Sequence, residues 1–525
     1  MPHFFSWAEA QPDRVVLTQG DTGATYTAGE IAHQALQMAQ WFAAQGLQAG
    51  DTVAVLLENR AEIVALVLAA RQAGLYAAVI STHLTPSEVE YIAKDSGSRM
   101  IMVSSRTWPM AQQACGSLGL QPYSVDEDTP GVPALQATLA AAVAQPQDLS
   151  QRPLGRDLLY SSGTTGRPKG IKKPLLDARY RTEVDPEVAA WQRNMRFDDN
   201  AVYLSPAPLY HAAPLRYTVR TLDVGGRAVI MGKFDPEQVL AMIAQHHITH
   251  SQWVPTMLGR MLKLPDAIKQ QYDLSSHQVA IHAAAPCPVA VKQGILDWWG
   301  DILLEYYAGS EGCGTTLITS QQWRQKPGSV GCAISGQLHI VDDDGQELGV
   351  GEMGRVYFSG GSPFSYLNDP VKTSEAINDK GWATYGDIGY VDAEGFLFLS
   401  DRRADLILSG GVNIYPQEIE NALAQHPLVD EVAVVGVPHE DFGEQPMAVV
   451  VLKPGAEASP ELARDIVAQA ATQLSKVKWP QRLVFDKQLP RLETGKLLRR
   501  VLKERFKQDP QAGHDMRASQ SAKAH

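Results

Sequence analysis

The 525-residue chain is poor in cysteine and aromatic residues, has no basic surplus, and contains no uninterrupted apolar run of membrane length. Four cysteines (Cys115, Cys287, Cys313 and Cys332) without a CxxC pair exclude a disulfide framework and point to a reducing, cytoplasmic setting. Lys and Arg number 46 against 58 Asp and Glu, a net charge of −12, which argues against a dedicated nucleic-acid binder. The most apolar stretch, Ile63 to Ile80, is interrupted by Arg71 and Gln72, whereas a bilayer requires about 20 consecutive apolar residues. The opening MPHFFSWAEAQPDR lacks the basic and apolar regions of a signal peptide. No integral membrane association is expected.

What is present is the composition of a globular protein, 44% hydrophobic and 20% charged. At about 100–200 residues per domain, this length predicts several domains or subdomains. Thr27 with Glu30 forms a capping box opening a helical pattern through Ile31, Leu36, Met38, Ala39 and Phe42, which Gly46 ends. Thr85-Pro86-Ser87-Glu88 is a second helix start. Near-continuously apolar strands after Asp51 and Arg99, alternating with helices, predict buried parallel sheets. The pattern changes near Asp401, where a Ser409-Gly410-Gly411 turn precedes a helix start at Pro416 and strands at Val432–Val437 and Met447–Leu452. The expected division is residues 1–400, then a small α+β domain over 401–508, then a polar tail over 509–525 that frays. Residues 475–507 carry 11 basic side chains against three acidic ones, a surplus able to concentrate a polyanion. From Arg499 onward, a solvated helical face is the expectation.

The chemistry concentrates in Tyr160 to Gly170, Y-S-S-G-T-T-G-R-P-K-G. Its glycines let backbone N–H groups approach phosphate oxygens, its hydroxyls add donors, and Lys169 adds charge. The spacing is not that of a Walker A loop. The segment resembles the phosphate-binding loop of the adenylate-forming superfamily, which includes acyl-CoA synthetases, coumarate-type CoA ligases, luciferases and peptide-synthetase adenylation domains. By that resemblance Ser161, Ser162, Gly163, Thr164, Thr165 and Lys169 hold phosphates.

Further motifs follow in the family's order. Tyr306-Tyr307-Ala308-Gly309-Ser310-Glu311 resembles its aromatic–Gly–x–Thr–Glu segment, with Ala308 and Ser310 as departures. The resemblance gives Tyr307 adenine stacking, Ser310 the α-phosphate region and Glu311 a Mg²⁺ ion, a hard cation that prefers carboxylate oxygen. Ala383-Thr384-Tyr385-Gly386-Asp387 resembles the T-G-D segment whose Asp takes the ribose hydroxyls, with Tyr385 in the place of Thr. Asp401-Arg402-Arg403-Ala404-Asp405 resembles the D-R-x-x-D junction, giving Arg402 a ribose or phosphate contact and Ala404 the pivot. Pro490 to Lys496 resembles the P-x-x-x-x-G-K motif, in which Lys496 bridges the carboxylate and the α-phosphate. Pro208 to Pro214 resembles the segment bordering the acyl pocket, with His211 a gate between acyl and CoA sites, and the His282–Pro286 run, including Ala284, lines adenine by its backbone.

These resemblances imply an α/β fold, with a large N-terminal domain of stacked sheets flanked by helices and a small mobile α+β C-terminal domain. They imply an AMP-forming carboxylic acid:CoA ligase using ATP, Mg²⁺ and coenzyme A. Ser409, Gly410 and Gly411 then line the CoA channel, and the basic 475–507 region suits a 3′-phosphorylated nucleotide. The candidate acid-lining residues Ala212, Ala213, Leu215, Trp253, Val254, Met257 and Ala283 are apolar, with Arg216 and Arg220 nearby. A hydrophobic monocarboxylate is expected, whether fatty, arylalkenoic or alicyclic. A stand-alone enzyme loading a carrier protein is one alternative, and a non-catalytic nucleotide- or acyl-binding paralogue another. The presence of Lys496 and Glu311 argues against the latter. Oligomeric state is not legible.

Overall fold

The computed structural model describes residues 3–142, 147–161, 168–284, 287, 289–342, 344–402, 407–414, 416–490 and 499–516, with backbone alone at 161, 256, 290, 400–402, 413, 417, 421 and 500. Two sheets dominate the first 402 residues. One has five parallel strands in the spatial order Gln121–Ser124, Ser98–Val103, Thr52–Leu56, Tyr76–Val79, Arg156–Asp157. The apolar run in Thr52–Leu56 is buried at every position, as a strand covered on both faces must be. The other sheet has 13 strands, parallel from Val15–Gln19 across to Leu303–Tyr307 and antiparallel beyond that strand.

Helices Ala28–Ala44, Glu62–Ala73 and Ala212–Asp223 pack within the principal core. Both expected helix starts are present as full capping boxes, Thr27 with Glu30 and Thr85 with Glu88. Within Ala28–Ala44 the core face comprises Ile31, Ala35, Met38, Ala39 and Phe42, while Leu36 is nearly half exposed. Leu36 falls on the outer face because it stands five positions from Ile31, off the three-and-four spacing that keeps residues on one stripe. The Ile63–Ile80 stretch divides into helix Glu62–Ala73 and strand Tyr76–Val79 around Gly74, whose φ of 76° closes the helix. Among the described residues no helix is long and apolar enough to cross a membrane.

A third, three-stranded antiparallel sheet joins Leu159–Ser161, Lys169–Lys172 and Ser365–Tyr366. The C-terminal sheet centres on the long hairpin Val429–His439 and Gly443–Leu452, flanked by Ile407–Ser409 and Arg482–Asp486. Two expectations for this region are corrected. Residues 509–516 do not fray: His514–Asp515 pairs with Arg482–Asp486, Met516 is buried, and Arg482 donates to the carbonyls of Ala512 and Gly513 at 2.9 Å each. The helix Arg499–Gln508 is amphipathic rather than simply solvated, with Leu502 and Phe506 packed into the core beneath the hairpin.

Candidate active site

Parallel strands present their C-terminal ends to one edge, and a crevice opens where the connection pattern reverses. Here the strand order reverses between Val202–Ser205, from which the chain steps outward to Arg227–Ile230, and His250–Trp253, from which it steps the other way to Val279–His282 and Leu303–Tyr307. The loops leaving these strands line a cleft of about 2310 Å³. It brings together Lys169, His211, Ala284, Tyr307, Ser310, Glu311 and Asp387 with Ser409, Gly410 and Gly411 from the C-terminal sheet. Ser161 ends a strand whose side chain is not described there, and Ser162, Gly163, Thr164, Thr165 and Lys496 lie outside the described residues. Arg402 is described by its backbone, which pairs opposite Asp387.

One wall joins an aromatic ring to a carboxylate. Tyr307 and Asp387 are both nearly buried, and the Tyr307 hydroxyl donates to Asp387 Oδ2 at 2.6 Å. The contact holds the carboxylate at the rim beside the ring, so an aromatic face and an acceptor for vicinal hydroxyls come as one unit. Ala284 adopts φ 75°, a left-handed conformation costly for a residue with a Cβ and often found where backbone serves a ligand. Tyr385, the departure from the family's Thr, locks the Gly309–Gly314 loop. Its hydroxyl donates to the Gly314 carbonyl at 2.8 Å and accepts from the Gly314 N–H at 3.1 Å. Its ring lies where a Cβ on Gly309 would be, 2.4 Å from Tyr385 Cε1.

Next along the cleft, Glu311 accepts a 2.9 Å hydrogen bond from the Tyr366 hydroxyl, and Lys169 Nζ stands 5.1 Å from the Tyr366 ring centroid. Burial, with the Lys372 charge beside it, lowers the Lys169 pKa to about 8. Among the described residues no cluster of three or more His, Cys, Asp or Glu could hold a metal by itself. Glu311 is instead a single carboxylate at the cleft, close enough to Lys169 for the two charges to interact. That fits a Mg²⁺ arriving on phosphate oxygens, since this ion takes one or two protein carboxylates.

The other wall of the cleft is largely apolar. His211 precedes helix Ala212–Asp223 without capping it, and its ring stands open to the cleft with protein around it. Burial, and secondarily His83, lowers its pKa to about 4, so it is neutral at physiological pH and suits a gate better than a charged partner. Ala212, Ala213, Val254, Met257 and Ala283 line the cleft as expected. Leu215 and Trp253 do not: both are fully buried in hydrophobic cores. Trp253 points away because successive strand side chains face opposite sides, which leaves Val254 to the cleft.

Of the eleven basic side chains in residues 475–507, five (Lys478, Arg482, Arg499, Lys503 and Arg505) are engaged in ion pairs within the protein. Lys478 is nearly buried and donates to Glu88 Oε1 and Glu418 Oε1, each at 2.6 Å. Arg499 Nη2 donates to Glu420 Oε2 at 2.9 Å, and Arg505 pairs with Asp486. Lys476 does line the cleft. Sequence reading missed Tyr366, the loop-locking role of Tyr385, and Lys478. The first two partner motif residues distant in the chain, and the third bridges to a helix nearly 400 positions away.

The fold and this cleft define a nucleotide-binding enzyme with a small C-terminal domain contributing to its site. The chain belongs to the AMP-binding enzyme family, whose model matches residues 4–366, and the AMP-binding enzyme C-terminal domain matches residues 418–496. It is 31% identical over 509 residues to a long-chain-fatty-acid–CoA ligase, FadD13, of Mycobacterium tuberculosis, covering 95% of this chain and 97% of that protein. Among solved structures it resembles the o-succinylbenzoate CoA synthetase MenE of Bacillus subtilis bound to its product analogue OSB-NCoA. That match has TM-score 0.79 and 27% identity, covering 96% of this chain and 98% of the other. ATP-bound MatB of Rhodopseudomonas palustris matches at TM-score 0.66 and 28% identity, with 96% and 99% covered.

Proposed function

We propose that the protein is an AMP-forming acid:CoA ligase that makes an acyl-adenylate from ATP and a carboxylic acid with a hydrophobic body, then transfers the acyl group to coenzyme A. The observation that carries this reading is the single cleft shared by the Tyr307–Asp387 unit, Glu311, Lys169, an apolar pocket at His211, and the Ser409–Gly411 turn of the small domain. Tyr307 and Asp387 take adenosine. Lys169 with the loop from Ser161 to Thr165 takes the phosphates, and Ser310 and Arg402 complete the nucleotide contacts. Glu311 holds Mg²⁺, which when bound offsets phosphate charge. Lys496 bridges the incoming carboxylate and the α-phosphate, where two anions must meet. Ser409, Gly410 and Gly411 border the path of the thiol, with the small domain beginning near residue 401. Cysteine usage supports a cytoplasmic location.

The test is mass spectrometry of the purified protein with MgATP and a panel of acids, with CoA present or withheld. Acyl-CoA and AMP appearing together when CoA is added is the expected outcome. Acyl-adenylate accumulating equally with and without CoA would point instead to a carrier-protein thiol.

A further inference from the structure

The acid-binding end of the cleft is not uniformly apolar. Arg216 and Arg220 lie four residues apart on helix Ala212–Asp223 and so share one face. Lys173 and Arg156 approach the same space from the segments flanking the phosphate loop, and Arg216, Arg220 and Lys173 all line the cleft. Their acidic partners are Asp157 and Glu187. Arg216 Nη2 lies 2.8 Å from Asp157 Oδ2, whereas Arg220 and Arg156 reach Glu187 at 3.8 and 3.7 Å. Asp185, which caps the preceding helix Pro186–Met195, faces Arg220 from further off. Lys173 is 8% exposed, and among the described residues its ammonium makes no hydrogen bond and no ion pair. Four cations thus share two close carboxylates, and a buried charge without a partner is costly. Burial and the neighbouring Arg216 charge lower the Lys173 pKa to about 8, consistent with a site short of anions.

Arg216 and Arg220 lie apart from the Tyr307–Asp387 contact, while Lys173 Nζ reaches the Gly312 backbone, 2.4 Å from where a Cβ on that glycine would stand. Tyr306 and Tyr307 are adjacent on one strand and therefore face opposite sides. Tyr307 meets Asp387, while Tyr306 packs near Tyr217 at 6.2 Å between ring centroids, beside Arg216 and Arg220. From His211 to Arg216 the chain advances five residues, roughly 7.5 Å along a helix axis. We propose that the substrate acid carries a second anionic group, a carboxylate in the simplest case, which Lys173, Arg216 and Arg220 receive at the end remote from the carboxyl that is activated. This rests on the acid:CoA ligase reading and departs from the monocarboxylate expected from the sequence. The hydrophobic body still spans Ala212, Ala213, Val254 and Met257.

The experiment compares kcat/KM for AMP release with matched acids: α,ω-diacids of six to twelve carbons against their monomethyl esters and monoacids, and phenylalkanoates with and without a para-carboxyl. At the best-fitting length the diacid is expected to exceed its monomethyl ester by at least ~10-fold, as a polar site rejects an analogue lacking its partner. Lys173→Met should abolish that preference by bringing the diacid rate down to that of its monomethyl ester, and Arg220→Met serves as the second variant should the first fail to fold. Equal or faster turnover of monoacids at every length would overturn the inference and leave the ligase reading standing. So would a Lys173→Met variant whose ATP KM rises equally with either acid, since the cations would then serve nucleotide phosphate. AMP release with none of the acids would overturn the ligase reading itself.

Discussion

Lys169 stands beside Lys372 and over the Tyr366 ring, and its pKa of about 8 leaves it partly neutral in the ligand-free protein near that pH. Triphosphate favours its charged form, so ATP binding must raise the pKa and draw in a proton. At pH 8.5 the uptake should be roughly 0.5–0.8 proton, and near pH 6.5, where the amine is already charged, close to none. Calorimetry of MgATP binding in two buffers of different ionisation enthalpy measures this directly. Identical heats in both buffers at pH 8.5 would contradict it, and Lys169→Met should remove the difference. Lys496 poses a different question at the same scale. Lys496→Ala should cut adenylation by ~100-fold or more, the scale of losing one preorganised transition-state contact. Thioester formation from presynthesised acyl-adenylate should survive. Equal loss in both half-reactions would mean that Lys496 serves both, or neither directly.

The loop Gly309–Gly314 shows how an element can be fixed by a residue far from it in sequence. A Cβ on Gly309 would stand 2.4 Å from Tyr385 Cε1 and 2.7 Å from Glu311 Oε2. Gly309→Ala should therefore displace Glu311 and lower kcat/KM by about tenfold, each such factor corresponding to ~1.4 kcal/mol of transition-state stabilisation. Tyr385→Thr should restore much of that loss in the double variant by removing the ring, and a double variant no better than Gly309→Ala would refute the explanation. The same comparison shows what sequence can convey. Capping boxes at Thr27 and Thr85 were legible because all their partners lie within three residues. The nucleotide motifs were legible because each is a contiguous string. Trp253 was misassigned to the pocket because a strand residue's face depends on register with its neighbours, which no local pattern encodes. Arg216 and Arg220 could be placed near the acid, but their meaning depends on Lys173, Arg156 and Glu187, which three other segments supply.

Across the whole molecule, the small domain is seated by Lys478, which Glu88 of the large domain and Glu418 of the small one share. Burial, reinforced by the Glu88 charge, raises the Glu418 pKa to about 7. A carboxyl whose folded value exceeds its unfolded one contributes stability that is full below the unfolded value and lost as pH rises through the folded value. Seating should thus be tighter at pH 6 than at pH 8, and Glu418→Gln should remove that dependence. Limited proteolysis of the whole chain at the two pH values follows it. Lys478→Met leaves two carboxylates facing each other at a buried seam, and losing one partner of a buried pair typically costs ~3–5 kcal/mol. It should slow thioester formation from presynthesised adenylate more than it slows adenylation, whereas equal slowing would mean that the seam is indifferent to the half-reaction. Glu88 is also the closing residue of a capping box. Its Oε2 accepts from the Thr85 N–H at 2.8 Å and the Thr85 hydroxyl at 2.9 Å while its Oε1 holds Lys478. One carboxylate is therefore common to a helix's first turn and to the boundary between the two domains. Deuterium uptake by the amides of Glu88 and Val89, which the Thr85 hydroxyl and carbonyl protect, becomes a native, label-free clock of how often the small domain leaves its seat.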